Sequence, residues 1–111
     1  MAVNAFPTLY LAKGYIGPIA IDVTWADGTA RNMTGVTGTF TIYSVPPVAG
    51  VGGTTLFTPK TLAAAGTPPN RATVDIATGN LATPGTYYAE LSMTEGGVTD
   101  RQSGQVVIEG R

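Results

Sequence analysis

Residues 19–29 read Ile19-Ala20-Ile21-Asp22-Val23-Thr24-Trp25-Ala26-Asp27-Gly28-Thr29, and the fold class is decided here. Ile19, Ile21, Val23 and Trp25 alternate with Ala20, Asp22 and Thr24. A period of two lays an apolar face and a small or polar face along one extended strand. Asp27-Gly28 supplies the positive backbone angles of a tight hairpin turn, so a short return strand through Arg31 and Met33 is expected. The same phase puts Trp25 in the core, a reading preferred over a solvent-facing ring that stacks on sugars.

The pattern continues outward from this strand. Val36, Gly38, Phe40 and Ile42 share one face of the next strand, and Thr37, Thr39, Thr41 and Tyr43 the other. A threonine ladder suits an exposed sheet face, because β-branched side chains pack well on a pleat. Consecutive prolines cannot donate to a ladder, so the strand stops at Val45-Pro46-Pro47, and residues 45–53 form the longest apolar loop. Thr54 to Thr58 reads as a short strand with Leu56 or Phe57 inward. Thr61 to Ala65 is compatible with helix but spans one turn, too short to be stable alone. Ala72, Val74 and Ile76 resume the alternation, followed by turns at Thr78-Gly79-Asn80 and Pro84-Gly85. Tyr87, Ala89, Leu91 and Met93 then face one way, and Tyr88, Glu90, Ser92 and Thr94 the other. Glu95-Gly96-Gly97 closes a hairpin into a last strand, interrupted near Ser103-Gly104 by a bulge at Gly104 and completed by Val106 and Ile108.

About seven strands with turn signals every ten or so residues predict an all-β, antiparallel immunoglobulin-like β-sandwich, with a barrel as the alternative. The expected core is Ile19, Ile21, Val23, Trp25, Phe40, Ile42, Val74, Ile76, Tyr87, Leu91, Val106 and Ile108. Residues 1–15 read as an N-terminal arm or edge strand, and residues 16–111 as the sandwich.

Composition narrows the chemistry. The 111 residues suit a single domain. They include 15 Gly, 8 Pro and 18 Thr, but no His and no Cys. The two zeros argue against zinc sites and remove Ser-His-Asp, Cys-His and thiol chemistry, so no catalytic residue, metal site or cofactor is expected. Net charge is −1 with the charges scattered singly, which argues against nucleic acid as a partner. Apolar runs fall far short of a membrane helix, and Met1 to Ala12 lacks the basic and apolar regions of a signal peptide. Ile108-Glu109-Gly110-Arg111 matches the recognition sequence of factor Xa linkers. It reads either as a cloning scar or, with Val106-Val107-Ile108 continuing the alternation, as native strand; the second reading is preferred.

Several stretches together resemble a known family: Ile19 to Gly28, Met33-Thr34-Gly35, Thr39-Phe40-Thr41-Ile42-Tyr43, Ala77-Thr78-Gly79, and Pro84-Gly85-Thr86-Tyr87-Tyr88-Ala89-Glu90. They are similar to the immunoglobulin-like modules of tailed-bacteriophage virion proteins, including N-terminal modules of upper-baseplate proteins. The resemblance spans residues 16–109. It implies a non-enzymatic virion protein that binds capsid or tail subunits, foremost as a capsid decoration (cement) protein. A baseplate or tail-fibre adaptor is the alternative. It also implies a homo-oligomer, and a tyrosine corner at Tyr87. The stretch from Gly79 to Pro84 is shorter than that pattern, and the apolar loop from Val45 to Gly53 departs from it.

The interface candidates are the apolar stretches Phe6, Pro7, Leu9, Tyr10 and Leu11, and Val45, Pro46, Pro47, Val48 and Val51. The N-terminal set reads either as an edge strand of its own sandwich or as an arm adding to a neighbour's sheet. Tyr43 and Tyr88, out of phase with their strands' apolar sets, are the expected exposed aromatics. They would serve a further alternative, a carbohydrate-binding adhesion module. Among the carboxylates, Asp27 and Glu95 fall in hairpin turns and Asp22 and Glu90 on exterior faces, a structural distribution and not the paired one of a glycosidase.

Overall fold

In a computed structural model of the chain, the residues described are 4–5, 8–25, 27–46 and 53–110. Among the described residues nine strands run β1 (Asn4–Ala5), β2 (Leu9–Ala12), β3 (Gly17–Asp22), β4 (Thr37–Tyr43), β5 (Lys60–Thr61), β6 (Ala63–Ala64), β7 (Arg71–Ile76), β8 (Gly85–Glu95) and β9 (Val98–Glu109). The larger sheet has the order β1-β9-β8-β4-β5, with β2 also on β9, and the smaller the order β3-β7-β6. β5 and β6 are consecutive, so the chain changes sheets there and links the two layers along one side. This is an immunoglobulin-like β-sandwich.

The period-two pattern places the core between the layers. Ile19 and Ile21 from one sheet, with Val23 just beyond β3, meet Phe40, Ile42, Ala89, Leu91, Met93, Val106 and Ile108 from the other, all buried. Met33, Leu62 and Leu81 fill the same core from the connections. Phe40 is fully buried, so Phe40→Ala would cost about 3–5 kcal/mol. Gly38 shows how closely β4 and β8 approach: a Cβ there would lie 2.5 Å from the Ser92 carbonyl oxygen. Only glycine fits.

Several sequence expectations change; among them, Thr61 to Ala65 contributes to strands β5 and β6 and not to a helix, and the Thr54–Thr58 strand is reduced to a bridge at Thr55. First, Trp25 is 36% exposed and not core. β3 ends at Asp22, and beyond it Trp25 sits in a turn, with its N–H on the Thr29 carbonyl and its own carbonyl accepting from Gly28. The alternation outruns the sheet that would have buried the ring. Second, the return strand is reduced to one bridge, Thr24 opposite Ala30.

Third, Tyr43 is buried, at 7% exposed, and Thr41 with it; only the Thr37 end of the threonine ladder is open. Tyr43 is flanked by Tyr88 on one side and by a bridge to Thr55 on the other. Tyr88 is half-buried and Tyr87 is only partly buried against the core. Glu90 lies on the outer face as expected, yet is 6% exposed beneath an Arg101 ion pair.

Fourth, β9 is continuous through Ser103 and Gly104, with Gly104 opposite Ala89. The pairing offset instead shifts by one between Asn4↔Gln102 and Leu9↔Val106, so the irregularity lies on the N-terminal side of this edge. Fifth, β1 and β2 run parallel to β9, whereas every other pairing is antiparallel. Residues 9–12 are therefore an edge strand of their own sandwich. Ile108 is core and Glu109 accepts the Lys13 N–H, so both belong to the fold.

Candidate functional site

The apolar stretches singled out from sequence converge in part. Leu9 and Leu11 point inward and pack against the core, while Tyr10 between them is 67% exposed. Tyr10 is registered with Val107, and Val107 with Thr86. The next outward row of the same sheet is Gln105, Tyr88 and Tyr43. Pro46 borders this row, lining a shallow cavity of about 360 Å³ with Tyr88, Ser103, Gly104 and Gln105. Tyr10, Val107, Tyr88 and Pro46 thus mark an apolar strip across the outer face of the larger sheet, with exposed Val45 beside it. Phe6, Pro7, Pro47, Val48 and Val51 lie outside the described residues.

A second surface was not singled out from sequence. At the far end of β8, the 24–31 turn meets the β8–β9 hairpin around Arg31. This side chain is 3% exposed, and its Nη1 donates to both carboxylate oxygens of Asp100, at 3.0 and 2.8 Å. Its Nη2 lies 3.7 Å from Glu95, which is half exposed. The guanidinium carbon sits 4.4 Å from the centre of the Trp25 ring. Beneath them, fully buried Gln102 donates from Nε2 to the Thr24 carbonyl at 2.9 Å. Arg31 Nε and Gln102 Oε1 have no hydrogen-bond partner among the described residues. Trp25, Arg31, Glu95, Val98 and Asp100 line a half-open cleft of about 220 Å³.

No family model matches the chain, and no curated protein matches it. A solved structure, a chimeric titin Z1Z2 functionalized with an exogenous KLER peptide from decorin, aligns over 100% of this chain and 95% of its own. Identity is 13% and the TM-score 0.39.

Among the described residues four carboxylates are in ion pairs with arginines: Asp100 and Glu95 with Arg31, Glu90 with Arg101, and Asp22 with Arg71. The Arg71 hydrogen bond holds the Asp22 carboxyl below its usual range, and Arg71 is raised in return. Asp27 is an exposed turn cap: the Thr29 hydroxyl and N–H both donate to it, which lowers its pKa as well. Among the described residues no three His, Cys, Asp or Glu side chains group as metal ligands, and no helix is long and apolar enough to cross a membrane.

Sequence reasoning missed Arg31 because its partner Asp100 lies 69 residues away on another hairpin. The available signal was a lone arginine in phase with Met33, a position that an apolar side chain would ordinarily hold.

Proposed function

We propose that this chain is a non-enzymatic structural protein of a phage virion, a β-sandwich that binds neighbouring virion subunits, foremost as a capsid decoration protein. The observation that carries the reading is the outer face of the larger sheet. Its apolar strip of Tyr10, Val107, Tyr88 and Pro46 is flanked by threonine, serine and glutamine, and the Glu90–Arg101 pair neutralises itself. A flat face of low charge can pack on another subunit without leaving a buried ion unpaired. Weak contact by one copy becomes tight attachment when many copies bind a repeating lattice.

The family resemblance supports the same reading, and so does the use of four carboxylates in ion pairs and of Asp27 in a turn. The adhesion alternative loses the Tyr43–Tyr88 pair it was built on, because Tyr43 is buried.

The test is to find the chain in purified particles by mass spectrometry and locate it by labelling. Copies on the shell are expected. A position on the tail would favour a baseplate or tail-fibre adaptor, and absence from the particle would end both readings. Tyr10→Asp adds charge to the strip at an exposed position, so it should abolish attachment while leaving the fold intact.

A further inference from the structure

We propose that the cleft over Trp25 binds a cationic side chain, a lysine or arginine presented by a partner protein. This rests on the reading of the chain as a subunit-binding module, and it names a second contact, at the end of the sandwich.

Charge points to the occupant. Four carboxylates (Asp22, Asp27, Glu95 and Asp100) stand at this end against two guanidiniums, Arg31 and Arg71. Asp22 is satisfied by Arg71 and Asp100 by Arg31, which leaves a surplus of two negative charges on Asp27 and Glu95. Glu95 is at the rim of the cleft, half exposed, and engages Arg31 at only 3.7 Å. It is free to take a second cation.

Shape and polarity agree. Trp25 and Val98, the latter 65% exposed, give the cleft apolar walls. A lysine or arginine has an apolar stem and a charged head, so the stem covers these walls while the head reaches Glu95. One side of the Trp25 ring already carries a guanidinium, and Arg31 is itself 3% exposed, so the exposed part of the ring is the part Arg31 leaves uncovered. Aromatic faces attract cations, more so where water is displaced.

A saccharide fits less well, because it needs several donors and acceptors beside the ring. Asp100 is engaged by Arg31, and Arg31 and Gln102 are both buried; Glu95 is the exposed polar side chain lining the cleft.

Trp25 is the single tryptophan of the chain, so its emission reports this cleft alone. The experiment titrates the intact protein with acetyl-Gly-Lys-Gly-amide at low ionic strength, beside the same peptide acetylated on its lysine. The expected result is a saturable change in emission with the charged peptide, weakened severalfold by added salt, and absent with the neutral peptide. Glu95→Gln, at a half-exposed position, should fold normally and lose the response.

An equal response to both peptides would reduce the cleft to an apolar contact, and no response to either would remove it. Saturation by glucose, galactose or N-acetylglucosamine without a response to lysine would assign it to sugars; each of these results overturns the proposal. The two readings fail separately. A protein present in particles but indifferent to the peptide keeps its subunit-binding role and loses the cleft. A protein absent from particles but responsive keeps the cleft and loses that role.

Discussion

Strand β8 runs from Gly85 to Glu95, and near each of its ends lies an aromatic side chain with a polar contact. At the Gly85 end, Tyr87 leans on the core and its hydroxyl donates to the Thr83 carbonyl at 2.9 Å. At the Glu95 end, Trp25 lies over a buried arginine and stays 36% exposed. The first arrangement uses a neutral donor against the backbone four residues upstream. It ties the strand back onto its own chain and involves no charge, as a tyrosine corner does. The second uses charges from two separate hairpins, with one carboxylate more than its arginine neutralises, so this end remains able to bind. An end closed by local backbone contact is structural; an end closed by long-range ions retains chemistry at its rim.

The largest effect expected on breaking this contrast is at Arg31. Arg31→Met takes the guanidinium away from nearly buried Asp100 and should cost about 3–5 kcal/mol by denaturant unfolding. Arg31→Met combined with Asp100→Leu should recover most of that loss, since the desolvated carboxylate is removed together with the guanidinium. Recovery by the double variant separates a charge penalty from simple loss of packing.

At the other end, Tyr87→Phe removes one hydroxyl that reaches a backbone carbonyl and should cost about 1 kcal/mol. A cost as large as that of Arg31→Met would erase the difference between the ends.

The smallest effect is acid-dependent and lies in the surface carboxylates. Asp22 is held below its ordinary value of 3.8 by the Arg71 hydrogen bond, and Asp27 by Thr29. A carboxyl whose pKa is lowered by folding binds its proton more readily in the unfolded chain. Its contribution is therefore complete above that ordinary value and fades as pH falls through the lower folded one. The melting temperature of Asp22→Asn should lie slightly below the parent at neutral pH and converge with it below pH 3.8. Both groups are exposed, so the gap should be small.

The same contrast explains what was legible in the sequence. β3, β4, β7 and the second half of β8 follow a two-residue alternation that packing obeys wherever two sheets face each other, and Ile19, Ile21, Phe40, Ile42, Val74, Ile76 and Leu91 are buried as expected. The Tyr87 corner was legible because Pro84-Gly85-Thr86-Tyr87 is local and its hydrogen bond spans four residues. Trp25 was not, because alternation records the phase of a strand and is silent on where its sheet ends. Tyr43 was misplaced for the converse reason: its outward face is flanked by Thr55, a neighbour that the residues around Tyr43 do not announce. Arg31 and Asp100 meet only through tertiary structure, so the Trp25 cleft became visible with the fold and not before.

The central claim is that this molecule works by contact and that the Trp25 end takes part. It is tested most directly by acrylamide quenching of Trp25 in the free protein and in the protein rebound to particles stripped of it. The account expects ready quenching when free, in keeping with a 36% exposed ring, and marked protection when bound. Bound protein whose Trp25 is quenched as readily as in the free state would contradict it.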